Sequence, residues 1–289
     1  MESSPVRYRF YLVATALLFS TGGAAIKSAT LNGWQVASFR SGVAAIALLA
    51  ALPQARRGWS WRVVPVASAY AAALVLFVLA NRLTTAANAV FLQSTAPLYL
   101  LFLAPWLLRE PVRARDLLCA LAVGGGMLLL FIGSERSVAT APDPPRGNLI
   151  AAASGLTWAL TMTGLRWLGR DAIPGKPHNS ALAPVALGNV LAFLTALPFA
   201  LPATAIRASD VAVILYLGVV QIGLAYFLLT RAVRHVPAFE ATIVLLLEPV
   251  MNPVWAWLVN GEQPGPAALA GGAIIISAAL ANSWAQGRR

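Results

Sequence analysis

Few residues of this 289-residue chain could carry chemistry, and those that could are far apart. Cys119 is the single cysteine, lies in an apolar run and cannot form an intrachain disulfide. His178 and His235 fall in polar connections, and no Cys/His group has zinc spacing. A membrane protease or acyltransferase would need a nucleophile and a base at depth, and no serine has such a neighbour. Gly124, Gly125 and Gly126 imitate a phosphate loop, but no strand precedes them and no Lys or Ser/Thr follows. No catalytic residue, metal or cofactor is therefore expected. What remains is a set of polar and aromatic groups embedded in apolar sequence. They are Arg40, Glu248, Gln93, Gln221, Asn252, Ser20, Thr21, Thr157, Tyr70, Tyr99, Tyr226 and Trp158. Groups of this kind bind and orient small molecules.

The elements that hold them are hydrophobic helices. Apolar residues make up 59% of the chain and charged residues 11%, and mean hydropathy is +0.73. A soluble surface cannot be built with so little charge. The apolar excess falls in ten runs, roughly 9–27, 34–52, 63–81, 85–107, 115–133, 147–168, 181–201, 210–230, 238–258 and 266–285. Each is long enough to cross about 30 Å of hydrocarbon as a helix, the form that satisfies its own backbone hydrogen bonds in lipid. Arg7 and Arg9 before the first run imitate a signal peptide, but that run is longer than a signal core and nine more follow.

The net charge of +11 invites a nucleic-acid partner, yet the basic residues sit in short turns and form no single basic face. With the N-terminus inside, fifteen Lys and Arg fall on inner segments and five (Lys27, Arg82, Arg136, Arg146, Arg207) on outer ones. That bias follows the positive-inside rule and puts both termini in the cytoplasm. Topology explains the charge, and no nucleic-acid partner is expected.

The proline-rich connection from Ser134 to Asn148 divides the chain into residues 1–140 and 141–289, five runs each. The halves share landmarks. Pro97 precedes Glu110 by the same interval as Pro249 precedes Glu262, at a common offset of 152 residues. Leu12, Ala14 and Ala16 match Leu149, Ala151 and Ala153. An odd number of spans per half inverts the second half in the membrane. Inverted repeats of this kind place a binding site near the midplane, between the halves.

Depth then sorts the candidates. Trp158 lies ~17 Å into its run at 1.5 Å per residue, where it either packs or walls a cavity. Most other tryptophans, among them Trp34 and Trp255, fall near run ends, as belt residues do. Ser and Thr at depth serve as interhelical glue or bond their own helix. Gln93 and Gln221, from opposite halves, are costlier to bury unpaired. Arg40 and Glu248 are the ionisable groups well inside runs, where charges face a cavity or a partner. Similar depths suggest that they pair. A substrate-facing carboxylate is the other reading of Glu248. Ala120 with Gly124, and Ala268 with Gly272, have the spacing of close helix contacts.

Ten spans in two halves, a mid-span Pro and an exit Glu in spans 4 and 9, Leu247-Glu248-Pro249, and Arg40 in span 2 together resemble the drug/metabolite transporter superfamily, EamA type. Within it the chain is most similar to YddG-type exporters of aromatic and other neutral amino acids. The resemblance implies an all-α bundle of ten helices, with spans 1, 3, 4, 6, 8 and 9 around a central cavity. It implies alternating access in a monomer of the bacterial inner membrane. The substrate would be a small neutral, aromatic amino acid, met by Trp158, Gln93, Gln221, Tyr70, Tyr99, Tyr226, Ser20 and Glu248. Two departures from a strict repeat stand out: span 7 has no counterpart of Arg40, and Glu110 is followed by Pro111 but Glu262 by Gln263.

Overall fold

The computed structural model describes residues 5–109, 114–132, 138–170, 182–233, 235–236 and 238–287. Glu110, Pro111 and His178 lie outside the described residues. Their regular secondary structure is helical, with one isolated bridge between Val138 and Ala141. Helices α1 (Pro5–Ser20) and α2 (Gly22–Ser28) share the first apolar run, and α3 (Gly33–Ala51) and α4 (Val63–Leu83) follow. The fourth run is split into α5 (Ala86–Gln93) and α6 (Ala96–Leu108), before α7 (Ala114–Ile132). The second half begins with α8 (Pro144–Arg170) and α9 (Leu182–Ala200). Its eighth run is α10 (Ala208–Leu215), a π-helical stretch Tyr216–Leu224, and α11 (Ala225–Ala232). The ninth is split into α12 (Ala238–Leu245) and α13 (Leu247–Asn260), and α14 (Pro266–Gly287) ends the chain.

The two split runs break for the same reason. Proline has no N–H, so Pro97 cannot bond the Gln93 carbonyl, nor Pro249 that of Leu245. The first helix of each pair ends at those residues. Pro105, Pro198 and Pro253, by contrast, sit inside α6, α9 and α13 without ending them. Gly261 closes α13 in the left-handed conformation, φ 68°, which turns Glu262 back so that its N–H reaches the Ala256 carbonyl at 3.2 Å.

Among the described residues, seven helical stretches are long and apolar enough to cross a bilayer. They are Val6–Ser28, Gly33–Ala51, Val63–Leu83, Ala86–Leu103, Leu182–Ala200, Ala208–Ala232 and Ile243–Asn260. Asp116–Ile132 and Pro266–Asn282 are shorter apolar helices. Large apolar side chains cover the outside, for instance Leu118, Leu121, Leu128 and Ile132 along α7, and Leu258 and Val259 on α13. A contiguous apolar exterior of this extent is that of a protein solvated by lipid.

Inside, small residues let helices approach. α4 packs against α8 and α9, α3 against α9 and the π-helical stretch, and α7 against α14. α1 packs on α11 and α13, and α8 on α5 and α6. The α7–α14 contact runs through Gly126 and Gly271. A Cβ on Gly126 would lie 2.7 Å from the Gly271 carbonyl, and one on Gly271 2.6 Å from that of Gly126. Gly124, whose spacing from Ala120 is that of a close helix contact, faces open space. Gly272 does make a close helix contact, receiving the ring of Phe91 of α5. Gly124 and Gly126 are two residues apart, about 200° around the helix, and a motif of spacing alone does not fix which face is inward.

Candidate functional site

A cavity of about 150 Å³ lies where both halves meet. The first half supplies Phe19 of α1, Arg40 of α3, Tyr70 and Phe77 of α4, and Gln93 and Ser94 at the α5–α6 break. The second supplies Trp158 of α8, Gln221 of the π-helical stretch, Tyr226 of α11, and Glu248 and Pro249 of α13. Of the residues singled out in the sequence, Trp158, Gln93, Gln221, Tyr70, Tyr226, Arg40 and Glu248 thus share one wall. The proline-induced breaks bring Gln93 and Glu248 there, because each lies beside an interruption of its helix.

The apolar wall is an aromatic cluster. The Tyr70 ring lies 6.2 Å from the Trp158 ring and 6.3 Å from Tyr226, and Phe19 is 5.3 Å from Tyr226. The Tyr70 hydroxyl donates to the Tyr226 hydroxyl at 3.1 Å. Spacings of this order are those of edge-on and tilted aromatic contacts, so Trp158 both packs and faces the cavity. A 150 Å³ apolar cavity holds a ring the size of benzene.

The polar wall is only partly satisfied. Gln93 Nε2 donates to Ser154 Oγ at 2.8 Å. Gln221 Nε2 reaches the Phe19 carbonyl at 3.4 Å, and its buried Oε1 has no partner. Arg40 is 2% exposed, donates from Nη2 to the Leu74 carbonyl at 3.1 Å and leaves Nε unpaired. The expected Arg40–Glu248 ion pair is not formed. Both side chains line the cavity without contact, because the guanidinium is turned onto the α4 backbone.

Two expected site residues lie elsewhere. The Ser20 hydroxyl, fully buried, donates to the Leu17 carbonyl at 2.7 Å and accepts the Trp255 indole N–H at 2.9 Å. Trp255 is therefore anchored in protein through its indole N–H, and Trp34 packs its ring on Phe199 at 4.7 Å. The Tyr99 hydroxyl donates to the Ala152 carbonyl at 2.9 Å, fixing α6 to α8 outside the cavity. Thr157 bonds back to the carbonyls of its own helix. Asn252 is fully buried beside Gly23 with neither amide atom hydrogen-bonded. A Cβ at Gly23 would lie 2.6 Å from its Oδ1. Phe19, Phe77 and Ser94 were not anticipated. Phe19 and Phe77 carry no polar mark within apolar runs, and only Ser94's place beside Gln93 pointed to it.

One end of the bundle is sealed by a buried polar network that sequence reasoning also missed. Lys27 Nζ lies 2.9 Å from Glu262 Oε2, both side chains being 4% exposed. Lys27 also donates to the carbonyls of Thr84 and Thr140, and Glu262 accepts the Ala86 N–H. Arg82 donates to the carbonyls of Ala29 at 3.0 Å and Leu31 at 2.8 Å. Asp210 accepts both the N–H and the hydroxyl of Thr30 at 2.7 Å. Lys27 and Glu262 are oppositely charged and fall at the same end in different halves, as do Arg82 and Asp210, which was the available signal. At the opposite end the Arg9–Glu240 pair, 2.5 Å, is open to solvent.

A lipid-covered helical bundle with a partly polar, aromatic-walled cavity between its two sets of helices is the architecture of a membrane carrier. The EamA-like transporter family model matches residues 7–132 and 145–284, and the chain belongs to that family. It is 26% identical over 283 residues to the pseudopaline exporter CntI of Pseudomonas aeruginosa, covering 94% of each chain. It is 31% identical over 186 residues to the uncharacterized transporter YetK of Bacillus subtilis, covering 62% of this chain and 54% of that one. A solved crystal structure superposes with TM-score 0.61 at 18% identity, over 94% of this chain and 96% of that one, a likeness of fold.

Proposed function

We propose that the chain is a YddG-type secondary transporter that exports aromatic and other neutral amino acids across the bacterial inner membrane by alternating access. The observation that carries this reading is the cavity wall, in which Phe19, Tyr70, Trp158 and Tyr226 come from both halves and are joined by two amides. Aromatic faces take up an apolar side chain, and unsatisfied amide and charged groups hold a polar backbone.

The mechanism requires two inverted five-helix repeats, residues 1–140 and 141–289, acting as one monomeric ten-helix unit. Three observations support that arrangement. The family match falls in two stretches divided at the proline-rich connection. The helix breaks after Gln93 and Leu245 recur at the offset of 152 residues. The packing is reciprocal: the α4–α8 contact has its counterpart in α11–α1, and α3–α9 and α7–α14 are self-paired. With both termini cytoplasmic, the Lys27–Glu262 end faces outward and is the closed gate of this state.

A second reading, export of another small metabolite, is favoured by the likeness to the pseudopaline exporter. Counterflow in proteoliposomes decides between them. Protein-dependent uptake of labelled phenylalanine or tryptophan into amino-acid-loaded vesicles is expected. Its absence, with uptake of a different metabolite, would establish the second reading.

A further inference from the structure

We propose that Arg40 and Glu248 are the two ends of a zwitterion site: Arg40 receives the carboxylate of the substrate and Glu248 its ammonium. This rests on the proposed amino acid transport and assigns the pose within it.

Arg40 and Glu248 form no ion pair with each other. They lie in the same cavity, one from each half, and they do not neutralise each other. A buried pair in contact would explain both residues structurally. Here neither is explained so. Arg40 is 2% exposed, spends Nη2 on one backbone carbonyl, and its Nε has no partner. Among the described residues Glu248 receives no hydrogen bond and no ion pair. Charges inside a membrane are retained where they face a partner or a cavity, and an unmatched buried guanidinium is a strong site for a carboxylate. Opposite charges that are separated, not paired, complement a ligand that carries both charges separated by its own atoms.

The surroundings set the rest of the pose. Gln221, whose Oε1 is buried without a partner, lies on the same wall and can accept a second ammonium hydrogen. The cluster of Tyr70, Trp158 and Tyr226 leaves an aromatic face for the side chain. Specificity then follows from both charges. An amine without the carboxylate leaves Arg40 unmatched, and an acid without the ammonium leaves Glu248 unmatched.

The test is competition against labelled phenylalanine in proteoliposomes, using phenylalanine, phenethylamine (no carboxylate) and 3-phenylpropionate (no ammonium). In the wild type both analogues should compete roughly ten- to a hundred-fold less well than phenylalanine, the worth of one charged hydrogen-bonded contact. In Glu248→Gln the gap between phenylalanine and 3-phenylpropionate should shrink about ten-fold, while that to phenethylamine persists. In Arg40→Gln the reverse should hold. Should Arg40→Gln not fold, the wild-type series and Glu248→Gln still decide. Equal competition by either analogue in the wild type, or equal weakening of all three ligands in both variants, would overturn the assignment while leaving amino acid transport intact. A wild type that carries no amino acid at all would remove the transport reading itself.

Discussion

Replacing Lys27 by Met takes the cation from a pair that is 96% withdrawn from solvent on both sides. The Glu262 carboxylate stays buried, and the carbonyls of Thr84 and Thr140 lose their charged donor. Removing one partner of a buried ion pair costs roughly 3–5 kcal/mol, because the remaining charge is uncompensated. Replacing both partners by apolar groups of similar volume is often near neutral. The expectation is therefore non-additive. Lys27→Met and Glu262→Leu should each destabilise by about 3 kcal/mol or more, and the double variant by clearly less than their sum. Thermal and chemical unfolding of the detergent-solubilised protein, followed by tryptophan fluorescence, measures this. Because the pair joins α2 of the first half to the α13–α14 connection of the second, its loss should also favour the state open at that end. A cysteine introduced at Thr84 (in a Cys119→Ala background) should then label faster. Additive single effects within about 0.5 kcal/mol, with unchanged labelling, would refute the idea that the pair locks that end.

Gly271→Val should lower stability by about 1–3 kcal/mol, since its Cβ would meet the Gly126 carbonyl at 2.6 Å; equal unfolding midpoints for variant and wild type would contradict the close α7–α14 contact. Trp158→Ala should impair phenylalanine transport more than alanine transport, as initial rates will show, because the lost ring contact is to the side chain. Equal loss for both would assign Trp158 to packing. Reporter fusions after Val138 and Ala172 should lie outside and inside respectively, and inversion of both would reverse the orientation drawn from the Lys and Arg count.

Much of the fold was legible because the membrane enforces a simple rule: apolar runs of span length become helices. The proline positions carried further, since Pro97 and Pro249 fix where two helices break and hence where Gln93 and Glu248 come to lie. Rotation about a helix axis was not legible. Tyr70 and Tyr99 look alike in sequence, yet one faces the cavity and the other bonds the Ala152 carbonyl. Ser20 faces Trp255 for the same reason. Depth suggested that Arg40 and Glu248 would meet, but equal depth does not bring side chains together when each helix is turned differently. Lys27 and Glu262 were visible only as a topological charge and a repeat landmark, because their pairing joins two residues 235 positions apart (262 − 27) in different halves.

Substrate on the proposed route passes through the cavity between the two sets of helices, and filling that cavity blocks the route. Ser94→Trp places an indole at a half-buried cavity wall beside Gln93, and Leu121→Trp on the exposed face of α7 serves as the control. Counterflow of labelled phenylalanine in proteoliposomes should fall to background for Ser94→Trp and stay at the wild-type level for Leu121→Trp, with equal reconstitution of both. Undiminished flux through a folded Ser94→Trp protein would show that substrate does not pass through this cavity.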